Sequence, residues 1–325
     1  MSALREGSAP DVSSAGASGI ATLRIGTRRS ALALAQARGV AALLTERGAV
    51  VELVEVTTEG DRSREAVMTL GGTGVFVTAL RERLLAGDID LAVHSLKDLP
   101  TAPAVGITLA AVPTREDPRD VVVSRDRQPL TALAAGARVG TGAPRRTAQL
   151  RALGLGLDVV PVRGNVDTRL RLVADGKLDA VVVARAGLLR LGRADEAAEV
   201  LDVDRMLPAP GQGALAIECR ADEPALIATV GVLNDPTSRA AVTAERAVLA
   251  ALRAGCTAPV GAYAEPVTGP GGRSDLSLDA VVAAESGDGV RLSITGPLDA
   301  AEELGHALAA ELLAAGAADL LGETP

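Results

Sequence analysis

Aromatic residues are almost missing from this chain. Its 325 residues include no tryptophan, one phenylalanine (Phe76) and one tyrosine (Tyr263). That removes the stacking platforms on which single-stranded nucleic acid is held. The net charge of -8 argues against a general phosphate-backbone binder as well. Lysine is nearly missing too: only Lys97 and Lys177 stand among the 33 basic residues. Arginine is therefore the default cation, and one arginine says little unless it clusters with others. Two cysteines, Cys219 and Cys256, make no disulfide framework and fit a reducing compartment. The two histidines, His94 and His306, have no clustered partner, so no metal site is expected. No apolar run reaches membrane-spanning length. Residues 1–20 are small and polar without an apolar signal core, and read as a disordered tail on a cytoplasmic protein.

What is present is enough apolar chain, 48% of residues, for two or three cores. From Leu23 the sequence alternates short apolar strands with helical patterns, "ATLRIGTRRSALALAQARG" and "IDLAVHSLKDLP" among them. That alternation predicts α/β units with a parallel sheet. The pattern then starts again. "ARVGTGAPRRTAQLRALG" (137–154) repeats the strand, Gly-Thr turn and helix of the opening. "DGKLDAVVVARAGLLRLG" (175–192) echoes "AGDIDLAVHSLKDLP" (86–100). Two similar lobes with loops at their strand ends are expected to take a small molecule in the cleft between them. Beyond "LPAPGQGALAIECR" comes a different unit. It has a helix over "DPTSRAAVTAERAVLAALRAG" with Gly255 as its C-cap, three antiparallel strands and a closing helix over 298–315.

Several residues invite chemistry. Arg28, Arg29, Arg145, Arg146, Arg163, Arg169 and Arg190 gather at strand ends and helix starts. There, guanidinium forks and helix N-terminal N–H groups bind anions together, so a ligand with several carboxylates or phosphates fits. The plainer reading of any one of them is a surface arginine in an arginine-rich chain. "HSLKDLP" sets His94, Lys97 and Asp98 at the end of an apolar strand. Asp98 has the chemistry to stabilise a developing cation or relay a proton, with Lys97 holding a substrate carboxylate. A solvated ion pair is the alternative, and His94 reads as a packed core residue. Cys219, in "ALAIECR", reads as an inert buried thiol. Cys256 follows a helix C-terminus, where the dipole disfavours a thiolate. That suits a thiol that reacts once with a strong electrophile and keeps the adduct, or else an incidental loop cysteine.

Eight segments occur in order: "RIGTRRSALAL", "GGTGVF", "LAVHSLKDLP", "REDPRD", "RVGTGAPRR", "VRGNVDTRL", "LPAPGQGALAIECR" and "RAGCTAPVGAYA". Together they resemble the porphobilinogen deaminase (hydroxymethylbilane synthase) family. The resemblance implies an α/β fold of three domains: two lobes like type II periplasmic binding proteins and a small C-terminal α+β domain. Their expected bounds are 21–115 with 214–232 returning to it, 116–213, and 236–325. It implies a monomeric transferase of tetrapyrrole biosynthesis with a dipyrromethane cofactor held by a thioether to Cys256. Four porphobilinogens are added in turn with loss of ammonia, and hydrolysis releases hydroxymethylbilane. By the same resemblance Asp98 is the catalytic carboxylate. Lys97, Ser95, Arg145, Arg146, Thr141 and Gln212 join Cys256 around the cofactor. Arg28, Ser30, Gln36, Arg163, Arg169, Arg190 and Phe76 meet the substrate. The chain departs from the family pattern at Thr69 and Thr73, where lysines are usual, and at Gly142 and Ala143, where a serine pair is usual. Competing readings from the residues alone are a non-catalytic small-molecule receptor and a thiol enzyme without a bound cofactor.

Overall fold

The computed structural model describes residues 22–56, 73–255 and 258–321, with side chains 73–76 left aside. The 1–20 tail, Thr69, Cys256 and the side chains of Thr73 and Phe76 therefore lie outside the described residues. Three sheets organise the chain. The first contains β1 (Leu23–Thr27), β2 (Val51–Glu55), β3 (Leu91–Ser95), β4 (Ile107–Ala111) and β10 (Leu215–Arg220), in the order β2-β1-β3-β10-β4. The second contains β5 (Asp120–Ser124), β6 (Arg138–Thr141), β7 (Asp158–Pro161), β8 (Ala180–Ala184) and β9 (Glu199–Leu201), in the order β7-β6-β8-β5-β9. The two orders superimpose: β1 matches β6, β3 matches β8, and β10 matches β5. The sequence echoes at 137–154 and 175–192 fall on these matched strands.

The expected parallel sheet is only half right. β1 is parallel to β2 and β3, and β6 to β7 and β8. β10 runs antiparallel to both of its neighbours, and so does β5. Each of these strands arrives from the other lobe, so it enters its sheet from the cleft end and runs backwards. Strand composition carries no sign of that direction.

Period-two alternation in "DVVVS" sends Val121 and Val123 into one core and Val122 into the core on the opposite face. Matched glycines, Gly26 in β1 and Gly140 in β6, let side chains close over the sheets. A Cβ at Gly26 would lie 2.3 Å from Ile89 Cδ1, and one at Gly140 2.6 Å from Leu178 Cδ1. A methyl group at either site would force the helix-side packing apart.

The third sheet is an antiparallel meander of β11 (Val260–Thr268), β12 (Ser274–Ala283) and β13 (Gly289–Pro297). Helices Pro236–Ala251 and Ala301–Ala314 cover it, around Val248, Leu278 and Leu308. The first of these helices starts as its sequence demands: Asp235 accepts a hydrogen bond from Ser238 N at 2.7 Å, and Pro236 follows. Its end corrects the expected Gly255 cap. The helix stops at Ala251, and the left-handed residue is Arg253, at φ 50°. No described helix is long and apolar enough to cross a membrane.

Candidate active site

The lobes meet where two chain segments cross between them, after β4 and before β10. Helix Pro236–Ala251 clamps that crossing through Glu245, which is fully buried. Its carboxylate takes both guanidinium ends of Arg115, at 2.6 and 3.0 Å. It also accepts from Gly211 N at 2.7 Å and Ala264 N at 2.8 Å. Arg115 Nε in turn donates to Gln212 O at 2.8 Å. One carboxylate therefore joins both crossing segments to the third domain, with its acceptor capacity filled as a buried charge requires.

Above this joint are two cavities. The first, of about 90 Å³, lies at the ends of β1 and β3, with Arg28, Ser30, Gln36, Ser95 and Asp98 among its lining. Ser30 caps helix Ala31–Thr45 by accepting from Ala33 N at 3.3 Å, a placement "RRSALAL" dictates. Gln36 Nε2 donates to Ser95 Oγ at 2.8 Å, which fixes two polar side chains on adjacent walls. The second cavity, of about 250 Å³, is lined by Lys97, Asp98, Arg145, Arg146, Arg169 and Gln212, together with Gly142. Gly255 and Ala258, which flank residues 256–257, also line it. Asp98 is the residue common to both.

Asp98 ends a single 3-10 turn, Leu96–Asp98, at the C-terminus of β3. Lys97 beside it donates to Gln212 Oε1 at 3.2 Å rather than pairing with Asp98. Burial pushes the Lys97 ammonium down to about 8, with Asp98 opposing and Arg146 reinforcing that shift.

Arg145 and Arg146 occupy the first turn of helix Pro144–Ala152 and are nearly fully buried. Both pair with Asp120 at the head of β5, Arg145 Nη2 at 2.9 Å and Arg146 Nη2 at 2.8 Å. Burial alone would raise the Asp120 carboxyl. The two guanidiniums and the hydrogen bonds from Arg146 and Gln212 outweigh it and hold Asp120 well below the usual carboxylate range. Arg145 also donates to Leu207 O, and Arg146 to Val182 O at 3.1 Å. The Nε–H of each arginine is buried without a partner. Arg169, half-buried, donates to Gly164 O at 2.9 Å. The second cavity thus gathers four cations against the carboxylates of Asp98 and Asp120. That imbalance, and the unpaired guanidinium N–H groups, fit a ligand carrying several carboxylates.

Other expected site residues are engaged by the protein itself or fall elsewhere. The Gln212 amide is used up within the protein: Oε1 accepts from Lys97 and Arg146, and Nε2 donates to Pro118 O and Asp120 Oδ1. The Thr141 hydroxyl is buried and accepts from Ala143 N at 3.3 Å, inside its own turn. Arg163 is exposed and lines neither cavity. Arg190 donates to Gly213 O at 2.6 Å at the crossing, outside both cavities. Arg29 is a surface residue paired with Glu55 at 3.1 Å. Gly142 packs too tightly for a side chain, since a Cβ would lie 2.5 Å from Val162 O and 3.2 Å from Arg169 Nη2.

Asp120, Glu245 and Glu218 carry the buried charge network without having been singled out in the sequence. Each is an acid set in an apolar or alanine-rich segment ("DVVVS", "VTAERAVLAA", "LAIECR"), which is the one available signal. Glu218 holds Arg81 Nη2 at 2.6 Å and lies 3.3 Å from His94 Nε2. His94 is thus a core residue, at 7% exposure. Cys219 is buried, and burial pushes its thiol up to about 11.

Comparison with known proteins converges on one family. Residues 23–228 match the model described as "Porphobilinogen deaminase, dipyromethane cofactor binding domain", and residues 239–314 match "Porphobilinogen deaminase, C-terminal domain". Porphobilinogen deaminase 1 of Streptomyces coelicolor is 58% identical over 311 residues, covering 93% of this chain and 98% of its own. Porphobilinogen deaminase of Nocardia farcinica is 58% identical, covering 93% and 88%. That of Mycobacterium bovis is 56% identical, covering 92% and 98%. A solved methionine-binding protein, MetQ, overlaps 65% of this chain and 89% of its own at a TM-score of 0.43 and 14% identity. With both family models matched in order along the chain, it belongs to the porphobilinogen deaminase family.

Proposed function

We propose that this protein condenses four porphobilinogen molecules head to tail, with loss of ammonia, and releases hydroxymethylbilane by hydrolysis. It would do so as a cytoplasmic monomer in tetrapyrrole biosynthesis. The observation that carries this reading is Asp98 on the wall shared by two cavities, one able to present a new unit and the other a growing chain. The cofactor of this family is dipyrromethane, and we assign its covalent attachment to Cys256, next to the cavity-lining Gly255. Lys97, Arg145, Arg146 and Arg169 would hold its acetate and propionate groups, which the cation excess there suits. When bound, it supplies the nucleophilic pyrrole carbon to which units are added.

The chain's own groups do the rest. Arg28 and the hydroxyl of Ser30 orient the carboxylates of incoming porphobilinogen in the smaller cavity. Ser95, held by Gln36, offers a neutral partner beside them. Loss of ammonia from the aminomethyl group, protonated as an ammonium, leaves an electron-poor azafulvenium ion whose positive charge lies on the pyrrole nitrogen. The Asp98 carboxylate faces that position from either cavity and stabilises the charge in a partly water-free site. Its place on a turn fastened by buried Leu96 keeps it from reorganising as the charge appears.

The test is the intact mass of the purified protein beside that of Cys256→Ala. The expected result is an added mass of two porphobilinogen units less two ammonias on the wild type alone. Absence of that mass from the wild type even after incubation with porphobilinogen would overturn the reading in favour of a non-catalytic binding protein.

A further inference from the structure

A one-turn 3-10 helix is too short to hold itself, so something must fix Leu96–Asp98. Part of the answer lies in the first lobe: Leu96 N donates to Ala214 O at 3.0 Å, and Leu99 N closes the turn on Leu96 O at 3.1 Å. The rest comes from the third domain. Arg246 Nη1 donates to Leu96 O at 3.3 Å and to Leu99 O at 2.9 Å, and Nη2 donates to Pro100 O at 2.7 Å. Three carbonyls that bracket Lys97 and Asp98 thus converge on one guanidinium. Arg246, half-buried, has no carboxylate in ion-pairing contact among the described residues; burial lowers its pKa, with Glu218 opposing that shift.

The position of Arg246 matters as much as its bonds. It follows Glu245, the carboxylate that fastens the two crossing segments. It also lies on the helix that ends at Ala251, shortly before the 256–257 segment. A cavity of about 180 Å³ lined by Leu96, Thr101, Arg239, Arg246 and His306 lies behind the turn, and Leu96 and Leu99 share a buried apolar cluster with Val242 of the same helix.

We propose that Arg246 is a positioning residue for Asp98, tying the catalytic turn of the first lobe to the helix of the third domain. This rests on the function proposed above and adds a part to it. Arg246 lines neither ligand cavity, so it acts through the turn and not by touching substrate. A planar fork can serve three carbonyls at once, whereas an ammonium reaches fewer of them at fixed angles.

The experiment is a double-mutant cycle on holoenzyme whose cofactor mass has been verified, with Arg246→Met, Arg246→Lys and Asp98→Glu measured singly and combined. Arg246→Met is expected to lower kcat by about 10- to 100-fold with KM changed by less than about 3-fold, and Arg246→Lys to recover part of the loss. In the Asp98→Glu background, where the carboxylate is already misplaced, Arg246→Met is expected to change kcat by less than about 3-fold. Full additivity would overturn the proposal and leave Arg246 a general stability residue, as would kcat within about 2-fold of wild type in Arg246→Met. If Arg246→Met does not fold, the same cycle runs on Arg246→Lys and gives the same decision. A wild type that lacks the cofactor and consumes no porphobilinogen would defeat the function proposed above, a result plainly distinct from additivity.

Discussion

The two lobes share one strand order and use it for opposite purposes. At the cleft end of the first, β3 runs into a single turn that leaves Asp98 half-buried between two cavities. At the same end of the second, β8 runs directly into helix Arg185–Arg190. The antiparallel strand beside each differs in the same sense. Opposite Ser95 the first lobe has Leu215, whereas opposite Ala184 the second has Asp120. Asp120 is buried under two guanidiniums and has no reactive freedom, whereas among the described residues no arginine stands in ion-pairing contact with Asp98. One strand order thus sets one carboxylate between two cavities and uses another to build a rigid cation platform.

Breaking the platform should have the largest effect on stability. Asp120→Asn strands Arg145 and Arg146 in the interior, and is expected to cost about 3–5 kcal/mol in urea unfolding. A loss below about 1 kcal/mol would mean that the platform is not held by this charge.

The first lobe's own buried carboxylate gives the next comparison. Burial would raise Glu218, but His94 and Arg81 hold it down at about 2, below its usual 4.5. Its stabilisation is complete above the usual carboxylate range and is lost as pH falls through about 2. Linkage gives a contribution of about 3 kcal/mol at neutral pH. Glu218→Gln should remove that amount and flatten the acid limb of the stability curve. An unchanged limb would place the acid sensitivity elsewhere.

The smallest effect tests Lys97, whose ammonium burial pushes down to about 8. Its hold on the cofactor-borne carboxylates should fade as pH rises through that value, lowering kcat by less than about 10-fold between pH 7 and 9. Lys97→Arg keeps its charge and should lose that dependence, even if its absolute kcat differs. A kcat profile equally steep in the variant would exclude Lys97 as its source.

Much of this was legible in the sequence wherever a signal is local. The Gly-Thr turns, the Arg145–Arg146 pair and the strand end bearing Asp98 all follow from residues within one helix turn of each other. The echo between 86–100 and 175–192 even marks matching strands of the two sheets. Partnerships across the chain were not legible. Arg115 and Glu245 are separated by 130 residues, and Arg246 reaches back 150 residues to Leu96. A buried acid in an apolar segment announces that a partner exists without naming it. The same limit explains Gln212 and Thr141: their types suit ligand contacts, yet their hydrogen-bonding groups are engaged by the protein itself. Strand direction escaped for a related reason, because β5 and β10 take theirs from the lobe they leave.

We propose that the carboxylate shared by the two cavities, Asp98, performs the chemistry. The most direct test is the rate of porphobilinogen consumption by Asp98→Asn, on protein whose mass shows the covalent adduct. The expected result is a folded, cofactor-bearing enzyme slowed by about 100- to 1000-fold. A rate within a few-fold of wild type would contradict it and move the catalytic role away from Asp98.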